Sequence, residues 1–162
     1  MINFSHITPA YLPLANRLHH RYLNFLEDDY NEDTIAGVIN KTYPFFWVVL
    51  SNTEFAGFVY LDNIIGNKNH MHSAEITTCI EPKYWGEFTK EGAKIFLNKC
   101  FEEFGFTKIK AQVYPQNYRV KTLLKTSGFE KEAILKAETL HRGCNQDIEI
   151  YSIFNQRSKT WK

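Results

Sequence analysis

The order of secondary structure is decided by residues 72–114, which read HSAEITTCIEPKYWGEFTKEGAKIFLNKCFEEFGFTKIKAQVY. Apolar and polar side chains alternate over 72–81, and this period of two predicts a strand. After Pro82 the apolar residues recur at helical spacing, which predicts a long helix that Gly105 ends. Alternation returns over 108–114 and predicts a second strand. Two strands joined by a helix in this way form a βαβ unit.

The flanking segments carry further strand and helix signals. We predict a strand over 2–8, an amphipathic helix over 11–26, a short helix after Asp33, a β-hairpin from 45–50 and 55–62, a helix over 118–127, and two final strands over 129–140 and 146–154. His19 and His20 are expected to be half-buried on the first helix. This order predicts an α/β fold. The length of 162 residues suits one domain, which we place at 1–156, with a frayed tail at 157–162.

Composition excludes several classes of protein. Lys and Arg number 19 against 18 Asp and Glu, so the formal net charge is +1 and gives no field for nucleic acid or an anionic membrane. No apolar run approaches the ~20 residues of a membrane span, and the N-terminus lacks the pattern of a signal peptide. The three cysteines show no C-x-x-C spacing, which argues against a disulfide framework and a metal site. We therefore expect a cytoplasmic protein with no nucleic-acid partner, no membrane partner and no metal.

The junction between the first strand and the long helix is a candidate anion site. Pro82 ends the strand, and residues 83–89 lead into the helix, whose first amides are unpaired and carry the positive end of the helix dipole. Every junction of this kind offers free amides. A phosphate site and an ordinary helix start both remain open at this point.

An ordered set of short sequence pieces carries a family resemblance. The pieces are Ala74-Glu75-Ile76, residues 81–86 (EPKYWG), residues 101–105 (FEEFG), Asn117, Gly128-Phe129, Gly143 and residues 147–151. In this order and spacing the chain resembles the GNAT superfamily of acyl-CoA N-acyltransferases, and most of all the branch that acetylates ribosomal-protein N-termini. The resemblance covers about residues 45–154.

The resemblance implies both a fold and a donor. The fold is a mixed, mostly antiparallel twisted sheet with flanking helices, whose fourth and fifth strands splay apart to form a cofactor cleft. The donor is acetyl-CoA, with its pyrophosphate on the N-terminus of the helix over 86–104. Carried over residue by residue, the backbone of Thr78, Cys79 and Ile80 pairs with the pantetheine arm, the loop of Trp85, Gly86, Glu87, Phe88, Thr89 and Lys90 holds the phosphates, and Asn117 lies near the thioester.

The chain departs from the family pattern at several positions, among them Trp85 in place of Arg or Gln and Glu91 one position from the usual helix glutamate. Phe88 and Lys90 stand where the family has small residues, so Phe88 would obstruct the phosphate cradle while Lys90 would supply compensating charge. Leu124 stands where many relatives have a tyrosine general acid, and Val120 replaces a small residue. These departures motivate an alternative: a binding or interaction protein of the same fold that does not catalyse.

Acetyl transfer from a thioester requires a neutral amine, so an ammonium acceptor must lose a proton to a carboxylate or to water leading to one. Glu75 is the candidate base, in the middle of the strand and on the face of Thr77 and Cys79; a solvated or lysine-paired glutamate is the other interpretation. Asn117 is assigned to the catalytic centre by the resemblance. A backbone amide near Cys79 or Ile80 would hold the carbonyl charge. Tyr114 or water would serve the departing thiolate.

Residues 27–33 favour a cationic acceptor, because five of these seven residues are acidic. The acceptor would be a protein N-terminus, a lysine, or a small amine such as a polyamine, and the acetyl group would pass to it directly in a ternary complex. The same acids could instead be a solvated loop. A second copy of the chain, giving a homodimer, is a further candidate partner.

Overall fold

The computed structural model describes residues 1–156, and these contain one seven-stranded sheet with helices packed on both faces. The strands are β1 (Ile2–Ser5), β2 (Phe46–Ser51), β3 (Glu54–Asn67), β4 (His70–Ile80), β5 (Lys108–Val113), β6 (Glu130–His141) and β7 (Cys144–Phe154). The helices are α1 (Leu12–Arg21), α2 (Leu23–Leu26), α3 (Ile35–Thr42), α4 (Glu87–Asn98) and α5 (Tyr118–Thr126). The strand order is β1-β2-β3-β4-β5-β7-β6, and β4 with β5 is its parallel pair. The predicted mixed, mostly antiparallel α/β fold is confirmed.

The central strands contribute to two cores because successive side chains point to opposite faces of the sheet. On one face, Val49 lies in a core with Phe96 of α4. On the other, Val48 lies in a core with Leu18 of α1 and Ile35 of α3. All five side chains are buried, so β2 is covered on both sides.

Two helices differ from their predicted form. The amphipathic helix predicted over 11–26 breaks at Tyr22, whose φ of −112° and ψ of 19° leave the helical region and separate α1 from α2. The long helix is α-helical only to Asn98 and continues as a π-helical turn, in which the Phe104 amide donates to the Lys99 carbonyl at 3.2 Å. Gly105, with φ of 75°, then ends it as predicted.

The hairpin of β3 and β4 is longer than the sequence indicated. The predicted loop after residue 62 is mostly strand, and the chain turns at Lys68-Asn69, where the Asn67 side chain accepts from the amides of Asn69 and His70. A bulge interrupts the pairing after Asp62. The first strand, in contrast, ends at Ser5 and not at residue 8.

The parallel pairing of β4 with β5 is short. It joins residues 73–75 to residues 108–110 and stops there. Beyond that point β4 stays paired with β3, while β5 stays paired with β7. The sheet therefore opens into a wedge between residues 76–80 and residues 111–113.

None of the helices in residues 1–156 has the length and apolar character needed to cross a bilayer. The same residues hold no cluster of three or more His, Cys, Asp or Glu side chains suited to a metal ion. Cys79 and Cys100 are buried free thiols, and Cys144 is exposed. The tail predicted to fray, 157–162, lies outside the described residues.

Candidate active site

The wedge continues into two adjoining cavities, which we call together the cleft. The first has a volume of about 460 Å³ and is walled by both diverging strands. The second has a volume of about 420 Å³ and lies between the end of β4, the start of α4 and one side of α5. Thr78, Ile80, Trp85 and Thr89 line both cavities, so the two lie directly beside each other.

The N-terminus of α4 forms one end of the cleft. Its N-cap is Gly86 with φ of 106°, a conformation that side chains rarely adopt, and a Cβ there would meet no atom within 4 Å. The first amides of any α-helix lack an intrahelical acceptor. Gly86 and Thr89, at this end of α4, line the second cavity. Lys90 adds a positive charge at the same end, where its ammonium lies 3.3 Å from the Glu87 carboxylate. The arrangement fits a bound diphosphate.

Phe88 does not occupy this end of the cleft. Its ring lies 4.9 Å from that of Tyr84, between centroids, and packs against the core under α4. It lines the first cavity from that side and is absent from the walls of the second. The expected obstruction of the phosphate cradle by Phe88 is therefore not what the structure shows, because the helix turns this ring toward Gly92 and Phe96 on its buried face.

Trp85 spans the cleft near the end of β4. Its indole Nε1 donates to the Ile80 carbonyl at 2.9 Å, and the Arg119 guanidinium stands 3.1 Å from the ring centroid. The Ile80 carbonyl is thus engaged by a side chain. Thr78 is exposed on the same edge, where β4 has left β5, and its backbone faces the cleft.

Cys79 and Tyr114 both keep their protons near neutral pH. Burial raises the pKa of the Cys79 thiol to about 12, which removes it as a nucleophile. Burial, followed by the charge of Asp28, raises the pKa of the Tyr114 hydroxyl to about 12. Tyr114 can therefore donate a hydrogen bond into the first cavity but is a weak acid.

Asn117 is placed where β5 leads into α5. It is the N-cap of that helix, and its side-chain oxygen accepts from the Val120 amide at 3.5 Å. Asn117 also lines the first cavity. Leu124, at the position of the missing tyrosine, is buried and lines the first cavity with an apolar side chain that has no proton to donate.

Glu75 lies where β4 and β5 part, and three neighbours hold its carboxylate. Asn63 donates to Oε2 at 2.8 Å and Gln112 donates to Oε1 at 3.2 Å, while the Lys110 ammonium stands 3.8 Å from Oε1. Asn63 reaches it because the bulge after Asp62 places its backbone at φ of 46°. The predicted base is therefore a carboxylate held in one orientation at the cavity wall.

Asp62 is the site residue that the sequence reasoning missed. It stands directly opposite Glu75 in the β3–β4 register and lines the same cavity. Burial, followed by the charge of Glu75, raises the pKa of Asp62 from 3.8 to about 6. We call Asp62 and Glu75 the carboxylate pair. Within the pair, Asp62 titrates near pH 6 and lies beside the charge of Glu75. Only the register of the β3–β4 hairpin, which pairs Asp62 with Glu75, could have identified Asp62 as a site residue.

The acidic segment 27–33 is partly structural. Asp29 accepts from the Arg142 and Gly143 amides, both at 2.8 Å, and these bonds lower the pKa of its carboxyl. Asp28 accepts from the Thr139 hydroxyl at 2.6 Å. The segment is thereby fastened to the turn between β6 and β7.

The wall of the first cavity is nevertheless acidic. It contains the carboxylates Glu27, Asp28, Asp33, Asp62 and Glu75 and the cations Lys41 and Arg119. Lys41 is engaged by Asp33 at 2.7 Å. The remaining charge favours a cationic ligand at the end of the cleft opposite α4.

Comparison with known proteins gives consistent matches. Residues 8–130 match a family model described as "Acetyltransferase (GNAT) domain". The "Uncharacterized N-acetyltransferase YoaA" of Bacillus subtilis (strain 168) is 32% identical over 85 residues, which are 52% of this chain and 48% of the relative. The aligned part thus spans about half the length of that relative.

Solved structures share the fold across nearly the whole chain. A spermidine N-acetyltransferase from Vibrio cholerae, in complex with CoA and spermine, superposes with a TM-score of 0.79 at 23% identity, over 94% of this chain and 95% of its own. A ribosomal-protein-S5-alanine acetyltransferase from Vibrio fischeri superposes with a TM-score of 0.75 at 18% identity, over 99% of this chain and 95% of its own. RimJ from Mycobacterium smegmatis, in complex with CoA-disulfide, superposes with a TM-score of 0.78 at 16% identity, over 98% of this chain and 84% of its own.

Proposed function

Because the chain belongs to the GNAT acetyltransferase domain family, as its motifs predict, we propose that it transfers an acetyl group from acetyl-CoA to a cationic primary amine. One observation carries the proposal. The cleft that opens between β4 and β5 has a helix N-terminus suited to phosphate at one end and a carboxylate pair at the other. A donor and an acceptor can therefore meet between them.

The residues that would hold acetyl-CoA follow from this arrangement. The amides of Glu87, Phe88 and Thr89 at the start of α4 would bind the diphosphate, with Gly86 leaving room for its approach. Lys90 and Arg119, which line the second cavity, would add positive charge there. When bound, acetyl-CoA supplies the thioester whose acetyl group is transferred.

Along β4, the backbone edge at Thr78, Cys79 and Ile80 would face the pantetheine arm. The Ile80 carbonyl already accepts from the Trp85 indole, so the pantetheine arm would share it with Trp85 or take its place. A backbone amide near Cys79 would stabilise negative charge on the acetyl carbonyl oxygen.

The carboxylate pair would prepare the acceptor. Asp62 takes one proton from the ammonium group, and its raised pKa makes it a stronger base near pH 7 than an ordinary aspartate. Burial raises that pKa most, and the neighbouring charge of Glu75 raises it further. The neutral nitrogen then forms the new C–N bond as the thioester C–S bond breaks, and the nitrogen's second proton leaves with the sulfur as the thiol.

Transfer would be direct, without an acetylated enzyme. The only thiol at the cleft among residues 1–156 is Cys79, and burial holds its pKa at about 12. Tyr114 would donate a hydrogen bond without giving up its proton. Asn117 would lie near the thioester and, as the N-cap of α5, would keep that helix in place beside the cleft.

The acceptor would be a protein N-terminus or a small amine. The acidic wall of the first cavity supports a positively charged acceptor of either kind. Proteins of the same fold include a spermidine acetyltransferase and a ribosomal-protein-alanine acetyltransferase, one for each kind.

The proposal is tested by mixing the protein with acetyl-CoA and a panel of small amines and N-terminal peptides, and identifying acetylated products by mass spectrometry. Acetylation of one class of amine is expected, and its absence throughout would overturn the proposal. The alternative of a non-catalytic interaction protein is favoured by the hydrogen bond from the Trp85 indole to the Ile80 carbonyl, because it covers part of the strand edge expected to bind pantetheine. Thermal melting with acetyl-CoA distinguishes the two. If the protein binds acetyl-CoA, a ligand concentration of 100 times the dissociation constant should stabilise it by about 2.7 kcal/mol and raise its melting temperature by roughly 5 to 11 °C. If the cleft is closed to acetyl-CoA, the melting temperature should not change.

A further inference from the structure

Glu27 carries a buried carboxylate oxygen without a partner. Its side chain is 5% exposed, and Oε1 lies 3.3 Å from Nε2 of His19. His19 is itself buried, although the sequence suggested a half-buried residue. The other oxygen, Oε2, has no hydrogen-bond partner among residues 1–156. Buried carboxylate oxygens are costly to leave unsatisfied, and Oε2 is therefore free to accept a hydrogen bond from a bound molecule.

Glu27 belongs to the wall of the first cavity. Glu27 lines that cavity together with Asp62 of β3 and Tyr114 of β5. Its charge raises the pKa of both of those groups, so it lies within electrostatic reach of both sides of the cleft. A cation bound at Glu27 would therefore share the space in which the carboxylate pair prepares the acceptor.

The position of Glu27 is fixed from two directions. On one side His19 contacts Oε1, and the Glu27 amide donates to the Leu23 carbonyl at 2.9 Å. On the other side the next two residues are fastened to the β6–β7 turn, where the Asp29 amide donates to the Leu140 carbonyl at 3.0 Å. A carboxylate held in this way loses little freedom when it binds a ligand.

In the described part of the chain, the ionisable partner of the Glu27 carboxylate is His19, which contacts Oε1. Among residues 1–156, no lysine or arginine nitrogen lies within 4.0 Å of the Glu27 carboxylate. Asp33, by contrast, has Lys41 at 2.7 Å, and Glu75 has Lys110 at 3.8 Å. The cavity thus offers two distinct acidic features: the carboxylate pair for the reacting nitrogen, and Glu27.

We propose that Glu27 Oε2 binds a second cationic group of the acceptor, one that is not acetylated, so that small diamines are preferred over monoamines. The proposal rests on the acetyltransferase function and assigns Glu27 as a residue that determines acceptor specificity. The reacting nitrogen loses its proton at the carboxylate pair, whereas the distant ammonium stays charged and pairs with Glu27.

The experiment compares diaminoalkanes of increasing length with amino alcohols of the same length, in which a hydroxyl replaces the distant ammonium. For the wild-type protein, kcat/KM at the best length should favour the diamine by about 10-fold or more, mainly through KM. Glu27→Gln should abolish this preference and leave activity on the amino alcohol within about 3-fold. Glu32→Gln, an exposed glutamate of the same loop, is the matched control and should keep the preference.

Two further measurements keep the inference testable if Glu27→Gln folds poorly. Glu27→Asp retains the charge on a shorter side chain, so the preference should persist and shift toward longer diamines. Calorimetric titration of the best diamine into wild-type protein should give a lower dissociation constant than its amino alcohol.

Equal use of diamines and amino alcohols by the wild type, or an undiminished preference in a folded Glu27→Gln, would overturn the assignment of Glu27. Acetylation of peptides without acetylation of diamines would do the same and would leave the acetyltransferase function intact. Failure to acetylate any amine or peptide would overturn the acetyltransferase function itself, and the assignment with it.

Discussion

Replacing Asp62 by asparagine should stabilise the protein while disabling it. Burial and the neighbouring Glu75 raise the pKa of Asp62 from 3.8 to about 6. A shift of about two units corresponds to an upper bound of about 3 kcal/mol that the native state loses by keeping this group ionised. Asp62 is partly exposed, so solvent screening reduces the expected gain in Asp62→Asn to about 1–2 kcal/mol.

The sign of the effect follows from the protons bound in each state. Between about pH 4 and pH 6 the native protein binds more protons at this residue than the unfolded chain, so wild-type stability falls as pH rises through that window. Asparagine carries no charge and avoids this loss. The stabilisation should therefore be complete at pH 8 and shrink toward zero near pH 4.

Thermal melting at pH 8 and pH 4 measures the change in stability. Asp62→Asn should raise the melting temperature by about 2 to 8 °C at pH 8. Asp147→Asn is the control, because Asp147 is an aspartate whose pKa is lowered by the Ala137 amide and by Lys136. Its replacement should not stabilise the protein at pH 8.

Kinetics measure the matching loss of function. In Asp62→Asn, kcat/KM for an amine should fall by about 100-fold or more at pH 7, and the limb of the pH profile near pH 6 should disappear. A lower melting temperature of Asp62→Asn at pH 8 would show that the ionised Asp62 carboxylate does not destabilise the native protein. An unchanged acidic limb would show that another group accepts the proton.

Three further substitutions test other parts of the structure. Phe88→Ala should cost about 1–2 kcal/mol in melting experiments and leave the dissociation constant of acetyl-CoA within about 3-fold, because the ring packs in the core; a tenfold gain in affinity would mean that it blocks the cradle. Glu149→Gln should destabilise by about 2–3 kcal/mol in urea at pH 7, since Lys121 and Lys131 lose a buried partner. Burial raises the pKa of Glu149, but Lys131 and Lys121 lower it by more, so the pKa lies below its ordinary value. The destabilisation in Glu149→Gln should therefore fade as pH drops below about 4. A destabilisation that does not change with pH would contradict the ion pairs. Gly86→Ala should weaken acetyl-CoA binding by about 10-fold in calorimetry through strain at φ of 106°, and unchanged affinity would remove α4 as the phosphate site.

The sequence predicted the βαβ unit well because its signals are local. Alternation over 72–81 and the helical period after Pro82 each reflect the geometry of a few neighbouring residues. The break at Tyr22 and the length of the β3–β4 hairpin were missed, since both depend on packing between distant segments. The π-helical turn at Lys99–Glu103 has no recognised sequence signal.

The same distinction applies to the site. Glu75 could be named because alternation along one strand fixes its face, whereas Asp62 required the register of a bulged hairpin. Phe88 is instructive in another way, since it belongs to the apolar stripe of α4 with Phe96, and that period already pointed it inward. The comparison with a family loop suggested obstruction only because it ignored the phase of the helix.

The most direct measurement of the central claim is the rate of thiol release from acetyl-CoA, with and without an amine, for the wild-type protein and the Asp62→Asn/Glu75→Gln double variant. The account predicts amine-dependent release by the wild type, and a loss of about 100-fold or more in the double variant, while its acetyl-CoA dissociation constant stays unchanged. Amine-dependent release at the wild-type rate in the double variant would contradict the role of the carboxylate pair, and release that ignores the amine would contradict acetyl transfer.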